Sequence, residues 1–218
     1  MDFFKKISSC VMALVYPVRC PYCHRVITSK DLACEKCIKK LPQTAYGRFT
    51  VGGTSCVAAL PYTAEYAKAV KRFKFRKRAE YALPFAMLLV KRINEYYKEQ
   101  EFDFVTSVPM HKRMKRKKRF DHAARLAKMC AELMNLPYKP VLEKHKQGVP
   151  QHTLNRLERE KNVKGTFRVK DKEAVQGSHV LLIDDVITTG NTLGECVKML
   201  KKGGCSKVSC AALITVMV

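Results

Sequence analysis

The chain is poor in acidic residues and has no tryptophan: 218 residues include 19 Asp and Glu against 42 Lys and Arg. It also has no apolar run that approaches the roughly 18 to 20 residues of a membrane-spanning helix. We therefore do not expect a transmembrane segment. Hydrophobic residues still make up 47% of the chain, enough for a packed core, so the composition argues against a disordered protein.

Familiar nucleotide-binding motifs are missing as well. Neither GxxxxGK[ST] nor GxGxxG occurs, so P-loop hydrolysis and dinucleotide binding lose their main signatures. Residues 10–18 form a short apolar run behind Lys5 and Lys6, which could be the core of a secretory signal. No small-residue cleavage site follows before Arg19, so we instead expect an apolar helix that packs on the body of a cytoplasmic protein.

The net charge is +23, which favours a polyanionic partner such as nucleic acid or an anionic membrane surface. Lysines that merely solvate the surface are the alternative, but the charges cluster in two runs, residues 68–78 and 112–119. Phe73, Phe75 and Phe120 accompany them and could stack on unpaired bases, although each could equally be a core residue. The runs predict contacts with single-stranded DNA at Lys71, Arg72, Lys74, Arg76, Arg113, Lys115, Arg116, Lys117 and Lys118.

Four cysteines form two CxxC pairs, Cys20 with Cys23 and Cys34 with Cys37, separated by ten residues. Two such knuckles can present four sulfurs to one tetrahedral ion, which predicts a closed structural zinc site. Two disulfides or a redox CxxC motif are the alternatives, and disulfides would require an oxidising compartment. The other six cysteines stand singly in apolar patterns typical of buried side chains.

The remaining pattern alternates helices and strands, which predicts an α/β fold with a parallel sheet. Helical periodicity surrounds residues 67–70, 85–93 and 193–200, and Asp121 is placed to open a further helix. Apolar runs at 102–108, around 141, at 180–183 and at 208–218 predict strands. Residues 144–164 are polar and contain proline and glycine. We place a domain boundary at residues 45/46, after an N-terminal helix and zinc ribbon.

The most informative stretch is residues 180–193, in which a buried strand is followed by Asp184 and Asp185 and then by small hydrogen-bonding residues. Parallel sheets place ligands at the carboxyl ends of their strands. Gly190 permits close backbone approach, and the helix N-terminus that follows favours a phosphate. A capping box of Thr192 with Glu195, with nothing bound, is the alternative.

In a regular strand the two acids would point to opposite faces, so both can serve one ligand only if the strand has ended. Together the residues favour a phosphorylated sugar, with the acids accepting hydroxyl hydrogen bonds or holding Mg²⁺.

This stretch resembles the phosphoribosyl-pyrophosphate (PRPP) signature of type I phosphoribosyltransferases. The whole chain resembles the ComF family of competence proteins, which join a Cys₄ zinc ribbon to a phosphoribosyltransferase-like domain. Further matches are residues 107–111, 120–123, 151–154 and 162–167. The resemblance implies a ribbon domain at 1–45 and a phosphoribosyltransferase-like domain at 46–218.

The resemblance also implies roles for individual residues. Asp184 and Asp185 would contact the ribose hydroxyls, and Thr188, Thr189, Gly190, Asn191 and Thr192 would bind the 5-phosphate. The pyrophosphate loop would be Pro109, Met110, His111 and Lys112, with Mg²⁺ accompanying PRPP.

Two functions follow from the resemblance. In the first, the protein binds PRPP and single-stranded DNA during natural transformation, beside a helicase-like partner. In the second, it is an active phosphoribosyltransferase with an unidentified acceptor. Lys112 or Arg113 would then stabilise the leaving pyrophosphate. No catalytic residue is assigned. The two basic runs and the zinc module favour the first function.

Overall fold

The computed structural model describes residues 17–28, 31–75, 78–111, 113–114, 121–146 and 163–216. Its strands are β1 (Gly47–Val51), β2 (Thr54–Pro61), β3 (Phe104–Ser107), β4 (Leu142–Lys144), β5 (Phe167–Val169), β6 (His179–Ile187) and β7 (Lys207–Thr215). Its helices are α1 (Glu35–Ile38), α2 (Ala64–Phe75), α3 (Ala82–Tyr96), α4 (His122–Leu133) and α5 (Asn191–Lys202), with a 3₁₀ turn at Ala79–Tyr81. No helix in these ranges is long and apolar enough to cross a bilayer.

Five strands form the main sheet in the order β1-β2-β7-β6-β3. All neighbouring pairs are parallel except β1 with β2. The predicted parallel α/β sheet is therefore confirmed. β4 and β5 form a separate antiparallel pair.

The sheet is buried on both faces, which explains the continuous apolar runs of its central strands. Along β6, Leu181 and Ile183 pack into one core with residues of α2, α3 and α4. Val180 and Leu182 pack into a second core with residues of α5 and of the β4–β5 pair. The carboxyl end of β6 consequently lies between two helical layers.

Helix α4 begins where the sequence predicts. The side chain of Asp121 accepts a hydrogen bond from the backbone N–H of Ala124 at 3.1 Å, which caps the helix. Leu126, Ala127 and Cys130 recur at helical spacing and are fully buried. This amphipathic face fixes α4 against the sheet beside β3.

The β1–β2 hairpin was not predicted from the sequence. Gly52 and Gly53 have φ of 58° and 69°, and they form the tight turn between the two strands. The turn brings Gly52 against Gly194 of α5, so close that a Cβ on Gly52 would lie 3.1 Å from the Gly194 Cα. The hairpin thereby supports the helix that follows the site.

The cysteine-rich segment packs on α2 and α3. Tyr22 is 3% exposed, and its ring meets the rings of Tyr66 and Phe85 edge-on, with centroids 6.0 and 5.8 Å away. Cys20 and Cys37 belong to the same apolar core as these rings. The described part of the ribbon therefore shares its core with the rest of the chain, and the boundary at 45/46 stays a prediction.

Candidate functional site

The four cysteines of the two CxxC pairs converge on one point. Their sulfur atoms all lie within 4.8 Å of one another, and the sulfurs of Cys23 and Cys34 are 3.6 Å apart. A tetrahedral zinc ion with Zn–S bonds of about 2.3 Å separates its sulfurs by about 3.8 Å, so the cluster fits such an ion. All four cysteines are free thiols. Burial raises the pKa of Cys20 and Cys37, so metal binding at this cluster would displace protons.

A cavity of about 520 Å³ opens at the carboxyl end of β6, and we call it the aspartate cavity. It is lined by Lys74, Val108, Met110, Met114, Lys144, Asp184, Asp185, Val186, Ile187, Thr188, Thr189, Gly190, Asn191, Thr192 and Leu193. All seven residues predicted to bind PRPP therefore lie on one cavity. This is the sheet edge at which parallel α/β folds bind ligands.

Both acids line this cavity although β6 continues past them to Ile187. The expectation that the strand must end at the acids is therefore wrong. The neighbouring strand β3 pairs with β6 only as far as Ile183, opposite Ser107, so the last residues of β6 lie at an open edge. Asp185 also donates its backbone N–H to the Asp184 carboxylate at 2.8 Å. The two side chains thus reach the cavity from a strand that is unpaired on one side.

The electrostatics of the two acids differ. Burial raises the pKa of Asp184 to about 8, the negative charge of Asp185 acts in the same direction, and Lys74 opposes both. Asp185 forms an ion pair with the Lys74 ammonium at 2.6 Å, with both side chains largely buried. The pair therefore combines one acid matched to a cation with a second acid whose charged form is disfavoured by burial.

The loop after β6 has the form expected of a phosphate site. α5 begins at Asn191, with Gly190 as its N-cap at φ 73°, and no side chain caps the helix. The capping box considered as the alternative does not form with Thr192 as its first residue, because Gly190 is the N-cap and Thr192 lies inside the helix. Glu195 accepts the backbone N–H of Gly165 at 2.7 Å. The helix N-terminus therefore carries no N-cap side chain and has the form of an anion site.

The structure describes three of the four residues of the predicted pyrophosphate loop. Met110 lines the aspartate cavity, and Pro109 and His111 follow β3 toward it, while Lys112 falls outside the described residues. The loop follows β3, which pairs in parallel with β6, the strand that carries the acids. The loop and the acids therefore lie at the same edge of the sheet.

The nucleic-acid predictions divide into three groups. Arg76, Lys115, Arg116, Lys117 and Lys118 lie outside the described residues. Lys71 and Arg113 are exposed. Arg72 donates to the carbonyls of Pro21 and Tyr22, and Lys74 contacts Asp185, so both make contacts within the fold.

Two cavity lysines were not recognised as such from the sequence. Lys74 was predicted only as a nucleic-acid contact, and Lys144 only as the first residue of the polar segment 144–164. Burial lowers the pKa of Lys144, whose ammonium lies 5.3 Å from the centroid of the Phe167 ring. Both lysines come from elements far along the chain from the acids, and no local motif marks them.

Comparison with known proteins agrees with this geometry. Residues 121–218 match the phosphoribosyl transferase domain model. The DNA utilization protein YhgH of Salmonella typhimurium is 27% identical over 193 residues, which cover 87% of this chain and 80% of that protein. Competence protein F of Haemophilus influenzae is 23% identical over 194 residues, covering 87% and 81%.

The chain is similar to ComF proteins in these relatives, in its phosphoribosyl transferase match and in its N-terminal cysteine cluster. The domain match includes β6, the loop and α5, and the cysteine cluster precedes it as in the ComF arrangement of ribbon and phosphoribosyltransferase-like domain. Among solved structures, adenine phosphoribosyltransferase of Saccharomyces cerevisiae is similar with a TM-score of 0.45 and 12% identity, over 65% of this chain and 72% of that chain. The fold assignment of the ComF-like chain depends on the domain match and the sheet order.

Proposed function

We propose that this ComF-like protein binds PRPP in the aspartate cavity and single-stranded DNA at its basic surface, and so serves DNA uptake in natural transformation. The observation that carries the proposal is the convergence of Asp184, Asp185 and the 188–192 loop on one cavity. Carboxylates suit the ribose hydroxyls, and the uncapped α5 N-terminus suits the 5-phosphate. The names of the relatives, which refer to DNA utilization and competence, support the biological role.

The cavity charges suit a phosphorylated ligand that carries a metal ion. PRPP is a polyanion, and two cavity lysines, Lys74 and Lys144, offset the negative charge of the acids. The oxygens of Asp184 and Asp185 are donors of the kind that Mg²⁺ prefers. Bound Mg²⁺ would neutralise the pyrophosphate of the ligand. The four cysteines would hold zinc as a structural ion.

The basic surface supports the DNA part of the proposal. Phe75 is 66% exposed at the end of α2, whereas Phe73 is fully buried, so the structure separates the two aromatics of the first basic run. An exposed ring beside cationic side chains can stack on an unpaired base while lysines neutralise phosphates. Lys71, one helical turn before Phe75, is such an exposed lysine.

Calorimetric titration of PRPP with Mg²⁺ tests the cavity. Asp184→Asn combined with Asp185→Asn should abolish PRPP binding. Each carboxylate offers two oxygens that accept hydrogen bonds from ribose hydroxyls, whereas each amide offers only one. Glu65→Gln combined with Glu99→Gln is the matched control, since it removes two exposed carboxylates away from the cavity and should leave affinity unchanged.

If the acids only repel the ligand, their neutralisation would instead tighten PRPP binding, and the proposed site would be wrong. Pyrophosphate is assayed in the same mixture with single-stranded DNA present. Its release would identify a phosphoribosyltransferase, the second function that the domain match supports.

A further inference from the structure

The guanidinium of Arg72 links the first cysteine knuckle to helix α2. Arg72 donates from Nη1 to the carbonyl oxygens of Pro21 and Tyr22, each at 2.9 Å. Pro21 and Tyr22 are the two residues between Cys20 and Cys23 of the metal cluster. A metal ion at the cysteines would therefore fix the carbonyls that hold Arg72.

Two residues further along α2, Lys74 contacts the other site. Its ammonium lies 2.6 Å from the Asp185 carboxylate, and both side chains line the aspartate cavity. Residues two apart in a helix project about 200° apart, so Arg72 and Lys74 extend to opposite sides of the same turn. The last turn of α2 thus joins the cysteine cluster to β6.

The packing around this turn is rigid. Tyr22 inserts its ring between Tyr66 of α2 and Phe85 of α3, and Phe73 of the same turn is fully buried against Phe85 with centroids 5.7 Å apart. A close-packed turn transmits a shift of the knuckle as a shift of the whole turn, rather than absorbing it.

Lys74 also has a clear electrostatic task. A polyanionic ligand that enters the cavity meets the negative charge of Asp185, and the Lys74 ammonium, 2.6 Å away, offsets that charge. Displacement of Lys74 would leave Asp185 without this cation. Ligand affinity should therefore depend on where the last turn of α2 lies.

We propose that the cysteine cluster regulates the PRPP site: a metal ion on the cysteines positions Arg72, and through it Lys74, whose charge makes the aspartate cavity receptive to a polyanionic ligand. Lys74 and Arg72 are positioning residues in this scheme. The inference rests on the proposed PRPP function for its ligand, but the link between cluster and cavity is a property of the chain itself.

Metal release into a chelating indicator tests the link without any ligand. Lys74→Met should accelerate release about fivefold, because the end of α2 loses its anchor on β6. Lys68→Met is the matched control: it removes the same charge from an exposed position on the same helix and should release metal at the rate of the unsubstituted protein. Equal rates for the two variants would overturn the proposed link.

PRPP titration of the metal-loaded proteins tests the regulation. Lys74→Met should bind at least about tenfold more weakly, and Arg72→Met about fivefold more weakly although Arg72 does not line the cavity. Lys68→Met should bind PRPP with the affinity of the unsubstituted protein. Normal affinity in Arg72→Met would show that Lys74 acts alone and would refute regulation by the cluster.

Linkage supplies a reciprocal measurement that does not require a stable variant. If metal favours PRPP, PRPP must raise the metal affinity of the unsubstituted protein by the same factor, which competition with a chelator of known affinity measures. Unchanged metal affinity with saturating PRPP would contradict the proposal even if Arg72→Met fails to fold. If the unsubstituted protein binds no PRPP, the proposed function fails, and the release rates of Lys74→Met and Lys68→Met alone decide whether the link exists.

Discussion

Asp184 and Asp185 are adjacent in sequence but lie in different environments. Asp185 is paired with Lys74, whereas Asp184 is buried beside a like charge, which raises its pKa to about 8. The folded protein therefore keeps a proton on Asp184 that the unfolded chain loses near pH 4. The cavity is maintained at a cost in stability, as is common for ligand sites.

A pH series on Asp184→Asn measures that cost. The contribution of Asp184 to stability is greatest below about pH 4 and is lost as the pH rises to 8, because the native state resists ionisation. The free energy of unfolding of the variant should exceed that of the unsubstituted protein by about 2 kcal/mol at pH 8, allowing for partial exposure, and by much less at pH 4.

Denaturant unfolding at the two pH values gives these differences. Glu65→Gln, which removes an exposed carboxyl from α2, should show no such change between pH 4 and pH 8. A constant difference between Asp184→Asn and the unsubstituted protein would mean that Asp184 titrates normally.

At the scale of elements, the β1–β2 turn supports the helix that follows the phosphate loop. Gly52 contacts Gly194 in the first turn of α5, and Lys201 of the same helix donates to the Gly53 carbonyl at 3.3 Å. Small residues on both sides allow the backbones to approach. The position of the α5 N-terminus, and with it the anion site, depends on this contact.

Gly52→Ala should lower the free energy of unfolding by about 2 kcal/mol. The substitution combines left-handed strain at φ 58° with a Cβ that would lie 3.1 Å from Gly194. Gly177→Ala separates the two effects, because Gly177 has φ 70° with no atom within 4 Å of its Cβ position, and it should cost only about 1 kcal/mol.

Thermal or denaturant unfolding of both variants measures the difference. Equal losses would show that the contact between the turn and α5 contributes nothing to stability. A weaker PRPP affinity in Gly52→Ala alone would further show that the turn positions the phosphate loop.

At the scale of the whole molecule, the net charge of +23 is the dominant property. Much of the second basic run lies outside the described residues. In the first run, Arg72 and Lys74 make contacts within the fold, whereas Lys71 is exposed. Charge of this magnitude attracts polyanions over a distance, but the exposed ring of Phe75 adds a contact that double-stranded DNA cannot make.

Binding of oligo-dT over a range of salt concentrations separates charge from stacking. Phe75→Ala should weaken binding roughly fivefold to a hundredfold with an unchanged salt slope. Lys71→Met should instead reduce the log–log slope by about 0.7, the value for one phosphate contact on a single strand. Tyr46→Ala, which removes another exposed ring, is the control and should change neither quantity.

The stacking role would be refuted if the unsubstituted protein and Phe75→Ala both bound single-stranded DNA with the same affinity as double-stranded DNA. A salt-independent affinity would remove the electrostatic contribution altogether.

Local patterns were sufficient for several parts of this protein. Residues 180–183 are apolar because β6 is buried on both faces, and Asp121 caps α4 through its own side chain. The four cysteines converge because two CxxC knuckles are separated by a short connection. In each case the pattern that predicts the feature lies within one short stretch of the sequence.

Other features arise only from contacts between distant segments. The extension of β6 to Ile187 depends on its pairing with β7. The β1–β2 hairpin depends on the pairing of β2 with β7. Lys74 enters the aspartate cavity because α2 packs where the sheet ends, more than a hundred residues before Asp185 in sequence.

The parallel sheet, the cysteine cluster and the acids and loop of the aspartate cavity could be predicted from the amino-acid sequence, because spacing and hydrophobic periodicity encode short-range structure. Which cations face the acids and which aromatic ring is exposed became evident only in the folded structure. Those properties depend on long-range packing, which places Phe73 in the core and Phe75 outside it although both belong to one helix.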